Sequence, residues 1–322
     1  MMKPAVLKSL GCILAMAFCA TAALAAFPDK PLRIIVPFPP GGGTDAIARS
    51  LADGMSRQLG QQVLVENKPG AGTVLGTEYV ATRAPDGYTV VIASFAHAVN
   101  PSLLARLPYD HAKAFAPVTL IGRSPNIVVT PIDRPFKTIP ELIAAAKAKP
   151  GELNYGSFGN GTSSHLGPEL FKLMAQVDLT HVPYKGSAQG ITDMLGGRLD
   201  MMFNTASGVG AYLRGGKLRA IAVTSAERSP AYPDVPAIAE TVPGYDAQSW
   251  YAILAPAGTP ADIVARLHGA IGEAAKSEEF LKRSADDGLV VKIGAAAELT
   301  AFLETEEARW RRVVKEAGIK PD

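Results

Sequence analysis

Between residues 32 and 318, short apolar runs rich in β-branched residues alternate with segments of helical period, and turn residues mark most of the changes. That alternation constrains the fold more than any other feature. Strands that return through helices give α/β architecture with mostly parallel sheets. Residues 32–36 read as a buried strand. The helix that follows runs from about Thr44, with Ile47, Leu51, Met55 and Leu59 on one face. Residues 63–65 and 88–93 read as further strands, joined by turn-rich links at 66–72 and 84–89.

A middle segment opens with an apolar strand at 126–130. Thr138, Pro140 and Glu141 then form a capping box with proline in the first turn, and Pro150-Gly151 stops that helix. Strands are expected near Leu153 and at 179–183, 199–203, 218–224 and 250–254. Helices should start near Thr162, Ser187 and Thr259. In the last helix, from about Ala297 to Gly318, Phe302, Glu306, Trp310 and Val313 share helical spacing. Trp310 is expected to face the core. Asp286-Asp287 reads as a solvated turn, and Asp200 as a lone carboxylate at a strand start.

The N-terminus is of another kind. Lys3 and Lys8 precede an apolar stretch rich in small residues, and Ala23-Leu24-Ala25 fits a cleavage signal. Residues 1–25 therefore read as a secretory signal peptide that directs the chain to the periplasm, and they stand outside the fold. Both cysteines, Cys12 and Cys19, fall in this leader, so the mature chain has none. That removes disulfides, thiolate nucleophiles and cysteine–metal sites. Without Lys3 and Lys8 the chain carries 30 basic and 30 acidic residues, a balance that gives no reason to expect nucleic acid as a partner.

Two loops could carry chemistry. PFPPGGGTD, residues 37–45, joins a strand to a helix, with Thr44 as the expected N-cap. Glycines there let a ligand approach backbone N–H groups, and a helix start can hold an anion. YGSFGNGTSSHL, residues 155–166, repeats the device with Gly156, Gly159 and Gly161 ahead of Thr162, Ser163 and Ser164. Two such starts facing each other across a cleft would grip one carboxylate. Neither loop fits a P-loop or a dinucleotide fingerprint, so no cofactor is expected. Ser157 with His165 or His181 could suggest a nucleophile and base, but Tyr155 stands where a nucleophile elbow needs glycine. The five histidines show no metal-ligand spacing.

These loops, with ENKPGAG, APDGYT, HAVNP, VPYKG, LGGRLDMMF and GKLRAIAVTS in order along the chain, resemble the Bug family of tripartite tricarboxylate transporter substrate-binding proteins. The resemblance implies a type II periplasmic-binding-protein fold of two lobes joined by a two-crossing hinge. Lobe 1 would comprise residues 26–122 plus 227–322, and lobe 2 residues 123–226. It further implies a carboxylate held in a neutral pocket, a membrane permease as partner, a monomer, and no enzymatic activity. The matching donors are Gly42, Gly43 and Thr44 in the first loop, and Ser157, Thr162 and Ser163 in the second. Ser94, His97 and Asn100 fall on a third pocket loop, with Lys185 and Asn204 beside the cleft from lobe 2. Phe95, Phe158 and Asn204 depart from the family pattern, which bears on which carboxylate is bound. A module presenting the ligand to a sensor kinase is the alternative.

Phe38, Phe95, Phe158 and Phe203 lie in or beside these segments, and no arginine lies in either glycine loop. Each buried charge needs a partner. The expected ligand is therefore an aromatic or aliphatic mono- or dicarboxylate in preference to citrate.

Overall fold

The computed structural model describes residues 27–319, so the leader with its two cysteines lies outside the described residues. Eleven strands among the described residues form two sheets. The first contains β1 (Leu32–Val36), β2 (Val63–Asn67), β3 (Thr89–Ser94), β4 (Phe115–Pro125), β10 (Gln248–Pro256) and β11 (Val290–Gly294). Its order is β11-β4-β10-β3-β1-β2, so both ends of the chain contribute. The second contains β5 (Ile127–Pro131), β6 (Asn154–Ser157), β7 (Thr180–Pro183), β8 (Met201–Asn204) and β9 (Leu218–Val223), in the order β7-β6-β8-β5-β9.

The architecture is α/β, but the sheets are mixed and not mostly parallel. β1 pairs in parallel with β2 and β3, and β6 with β7 and β8. The pairings of β4, β5, β10 and β11 are antiparallel. The parallel expectation fails because β4 passes directly into β5, with Asn126 alone between them, and each must join a different sheet.

Ten helices among the described residues cover the sheets. In chain order they are α1 (Gly43–Leu59), α2 (Val74–Ala81), α3 (Phe95–Leu103), α4 (Ile139–Ala148), α5 (Ser163–Ala175), α6 (Ser187–Leu195), α7 (Ala206–Arg214), α8 (Ala261–Ala274), α9 (Glu278–Asp286) and α10 (Ala296–Glu316). The periodic face of α1 buries Ile47, Leu51, Met55 and Leu59 against β1, β3 and α8, which makes the core of the first lobe. A smaller core under α6 and α7 serves the second lobe. A third cluster spans both and includes the fully buried Trp310, whose indole Nε1 donates to Glu306 at 3.0 Å. Thus α10 braces the junction of the lobes. Among the described residues, no helix is long and apolar enough to cross a membrane.

Two crossings join the lobes and bond to each other. The Asn126 N–H donates to Thr224 Oγ1 at 2.8 Å, and the Thr224 N–H donates back to the Asn126 carbonyl at 2.9 Å. Both residues are fully buried, so these bonds stand in a medium where losing one is costly.

Candidate functional site

The first glycine loop leaves β1 and enters α1 with no side chain spent on the cap. Gly42, extended at φ −87° and ψ 173°, is the N-cap. The helix thus starts earlier than Thr44, and Thr44 is not the cap. Its hydroxyl stands inside the first turn, on the same cavity wall as that of Tyr251. The loop is braced from behind. Asp45 accepts from the Gly41 N–H at 3.0 Å, from Asn67 at 2.9 Å and from Arg49 at 3.0 Å, and Asn67 also donates to the Phe38 carbonyl at 3.0 Å. Burial alone would raise the Asp45 pKa. The bonds from Arg49, Gly41 and Asn67 outweigh it and hold the carboxyl below its usual value.

The second glycine loop, between β6 and α5, is braced by neutral groups. Thr162 caps α5, its hydroxyl donates to the Gly159 carbonyl at 2.7 Å, and Ser164 Oγ accepts from the Phe158 N–H at 3.0 Å. Ser163 Oγ accepts from the side chain of Asn126, the residue at the lobe crossing, at 2.9 Å. Behind the loop, Ser157 Oγ lies 2.7 Å from His181 Nε2, and His165 Nδ1 accepts from the Gly161 N–H at 3.2 Å. The two imidazoles stack with centroids 4.2 Å apart. Burial, with His165 adding to it, pulls the His181 pKa down to about 3, so the ring is neutral near pH 7.

Between these loops lies a cavity of about 350 Å³. Five helix N-termini converge on it, because the N-caps of α1, α3, α5, α6 and α7 (Gly42, Ser94, Thr162, Gly186 and Thr205) all line its wall. Each end carries N–H groups without intrahelical acceptors and a partial positive charge. Among the described residues that line it, Lys185 is the single charged side chain and none is a carboxylate. Tyr251 and Ser249 add hydroxyls from β10. Such a cavity favours an anion without a buried arginine.

Of the residues expected at the site, Phe38, Gly42, Gly43, Thr44, Ser94, Phe95, Phe158, Thr162, Ser163 and Lys185 line this cavity. Phe95 shows only an edge, since its ring packs on Trp310 at 4.5 Å. Five others lie elsewhere. Phe203 is fully buried in the core beside Phe171, because alternation along β8 turns it away. Asn204 stands one layer back and reaches the cavity only through Ser187, to which it donates at 2.7 Å. Ser157 is sealed behind its loop with no exposed surface. His97 packs against His111 and Phe115 in the core, and burial, with His111, lowers its pKa to about 3. Asn100 faces a second cavity and holds the Gly72 carbonyl at 2.9 Å.

The sequence reading missed other residues. Gly186 and Thr205 are helix caps at the cavity, and Tyr251 and Ser249 come from a strand distant in sequence. Asp287 is not in a solvated turn. It is 2% exposed, and its Oδ1 accepts the Ser207 N–H in the first turn of α7 at 2.8 Å, from the opposite lobe. Burial raises its pKa above the usual carboxylate value. Asp200, also buried, bonds the Asn154 N–H at 2.8 Å and pairs with Arg134. It is structural and remote from the cavity.

Residues 47–319 match the family model described as the tripartite tricarboxylate transporter family receptor. The chain belongs to this receptor family. BugT of Bordetella pertussis is 38% identical over 312 residues, spanning 94% of this chain and 96% of that protein. The solved structure of Rpa4515 of R. palustris with adipate matches at TM-score 0.87 and 35% identity, covering 92% of this chain and all of that one. MatC of Rhodopseudomonas palustris with bound malate matches at TM-score 0.82 and 32% identity, covering 89% of this chain and all of that one. The receptor is thus a two-lobed α/β protein of the periplasmic solute-binding type.

Proposed function

We propose that this receptor captures a small carboxylate in the 350 Å³ cavity between its lobes, in the periplasm, and delivers it to the permease subunits of a tripartite tricarboxylate-type transporter. The observation that carries the reading is the convergence of five helix N-termini on a cavity with one lysine and no carboxylate. A carboxylate leaving water needs donors to replace its hydration, and fixed N–H groups and hydroxyls supply them with little ordering cost. Two relatives solved with adipate and with malate support the ligand class. The lobes of this reading follow residues 26–122 plus 227–322 and residues 123–226, except that residues 123–125 finish β4 in the first sheet; they hinge where Asn126 and Thr224 meet, and ligand closes them. The half-buried rings of Phe38 and Phe158 in the wall favour a mono- or dicarboxylate with an apolar body over citrate.

Mass spectrometry of gently isolated protein tests this directly. A co-purified carboxylate that rebinds stripped protein in calorimetry is the expected result. A neutral or cationic ligand recovered instead would overturn the reading.

A further inference from the structure

A second cavity, of about 820 Å³, adjoins the first. The two share the lining residues Phe38, Pro39, Phe158, Thr162 and Lys185, so they are inner and outer chambers of one cleft. The half-buried rings of Phe38 and Phe158 belong to both walls and mark the passage between them. The outer chamber is the larger of the two, and its wall is apolar to the same degree as that of the inner one. Its wall is largely hydrocarbon, from prolines, Leu103, Leu104 and the Tyr184 ring, and no carboxylate lines it.

One wall is held in an unusual backbone conformation. Gly70, Ala71, Gly72 and Thr73 have φ of 137°, 47°, 59° and 83°, four successive residues in the region that side chains avoid. For Thr73, which is β-branched, this is an outlier. Asn100 fixes the segment by donating to the Gly72 carbonyl at 2.9 Å and to Thr73 Oγ1 at 3.2 Å. Backbone strain of this sort persists where the surrounding structure over-determines it, and it clusters at ligand clamps. Lys185 stands at the junction, solvent-exposed, with no carboxylate partner among the described residues.

We propose that the outer chamber is a second compartment of the binding site, which takes the apolar body of an elongated carboxylate, aliphatic or aryl-substituted, whose head group sits in the inner chamber. The inference rests on the carboxylate reading above and names the substrate class within it. An apolar wall rewards each methylene or ring carbon withdrawn from water. The unpaired Lys185 ammonium lies where the ligand's anionic end or a second carboxylate passes.

Calorimetry with adipate, sebacate and 4-phenylbutyrate on the processed receptor tests the inference. Sebacate or 4-phenylbutyrate should bind about tenfold or more tighter than adipate, given about 0.8 kcal/mol per buried methylene. Leu104→Trp puts an indole into the outer chamber and should cancel that gain, so that sebacate and adipate bind the variant with similar affinity. Leu104→Ala, which cannot obstruct, should keep the gain, and both variants are checked by thermal melting. Adipate binding with no gain from length overturns the inference alone, as does a gain that survives Leu104→Trp. Failure of every carboxylate to bind removes the carboxylate reading and this inference with it.

Discussion

The two glycine loops do the same work by different means. The first is braced by charge within its own lobe, where the Asp45 carboxylate, Arg49 and Asn67 fix the backbone from Phe38 to Gly41. The second is braced by hydroxyls and neutral imidazoles, and one of its hydroxyls, Ser163, bonds the Asn126 side chain at the crossing between lobes. The first loop is therefore pre-organised whether or not the lobes meet. The second is mechanically tied to the hinge. The first loop is thus held by groups of its own lobe, and the second shares a hydrogen bond with the crossing.

The comparison can be broken most severely at Gly42. A Cβ built there meets nothing within 4 Å and the backbone is extended, so valine fits the fold and projects into the cavity. Gly42→Val should keep the wild-type melting temperature and lose about 3 kcal/mol of ligand affinity in calorimetry, a loss on the scale of overpacking a filled site. Asp45→Ala should act on the first loop before any ligand arrives. It orphans the Gly41 N–H and the Asn67 amide, and urea unfolding should show about 2 kcal/mol lost without ligand. Wild-type protein carries that stabilisation only above the ordinary aspartate pKa. It fades as pH falls through the lowered folded value, and the variant should lack that acid limb.

Ser163→Ala separates the second loop from the hinge. Affinity should fall by about 1 kcal/mol, with a slower or smaller closure seen by small-angle scattering. An unchanged scattering profile with unchanged affinity would show that the two loops are equivalent. The smallest effect belongs to the imidazole stack. His181 has a folded pKa of about 3 against an ordinary 6.5, so the unfolded chain binds the proton more readily. Stability is full above pH 6.5 and is lost progressively from there toward pH 3. His181→Gln should flatten this slope in melting experiments and leave the neutral-pH melting temperature nearly unchanged. His97, with the same lowered value, keeps part of the slope in the variant.

Much of this was legible in the sequence because it is local. The period of α1, the capping box at Thr138 and Glu141, and both glycine-hydroxyl segments are patterns within a dozen residues, and the structure places each at a helix start. What escaped depends on distance along the chain. β4 was not anticipated, because Pro117 and Pro125 break its pattern and only β10 and β11 on either side make it a strand. The resemblance put Ser94, His97 and Asn100 on a loop, yet His97 and Asn100 lie within α3, and Ser94 caps its start and faces the cavity. Tyr251 reaches the cavity, and Asp287 the first turn of α7, only once β10 and α9 are folded against the first half of the sheet. Phe203 shows the opposite error: a residue near the site in sequence whose side chain belongs to the core.

The strand order carries a consequence for how such a chain folds. β4 lies between β10 and β11, and the whole of the second sheet intervenes between them in sequence. Lobe 2 is drawn from one continuous stretch, so every strand it needs is present before the last third of the chain arrives. Lobe 1 must wait, with β1, β2 and β3 exposing an unpaired edge until β10 closes it. Contacts this distant in sequence slow folding, and an open edge is where chains pair with the wrong partner. The same topology that lets two crossings act as a hinge therefore makes the N-terminal lobe the last to form and the one most exposed to aggregation on the way.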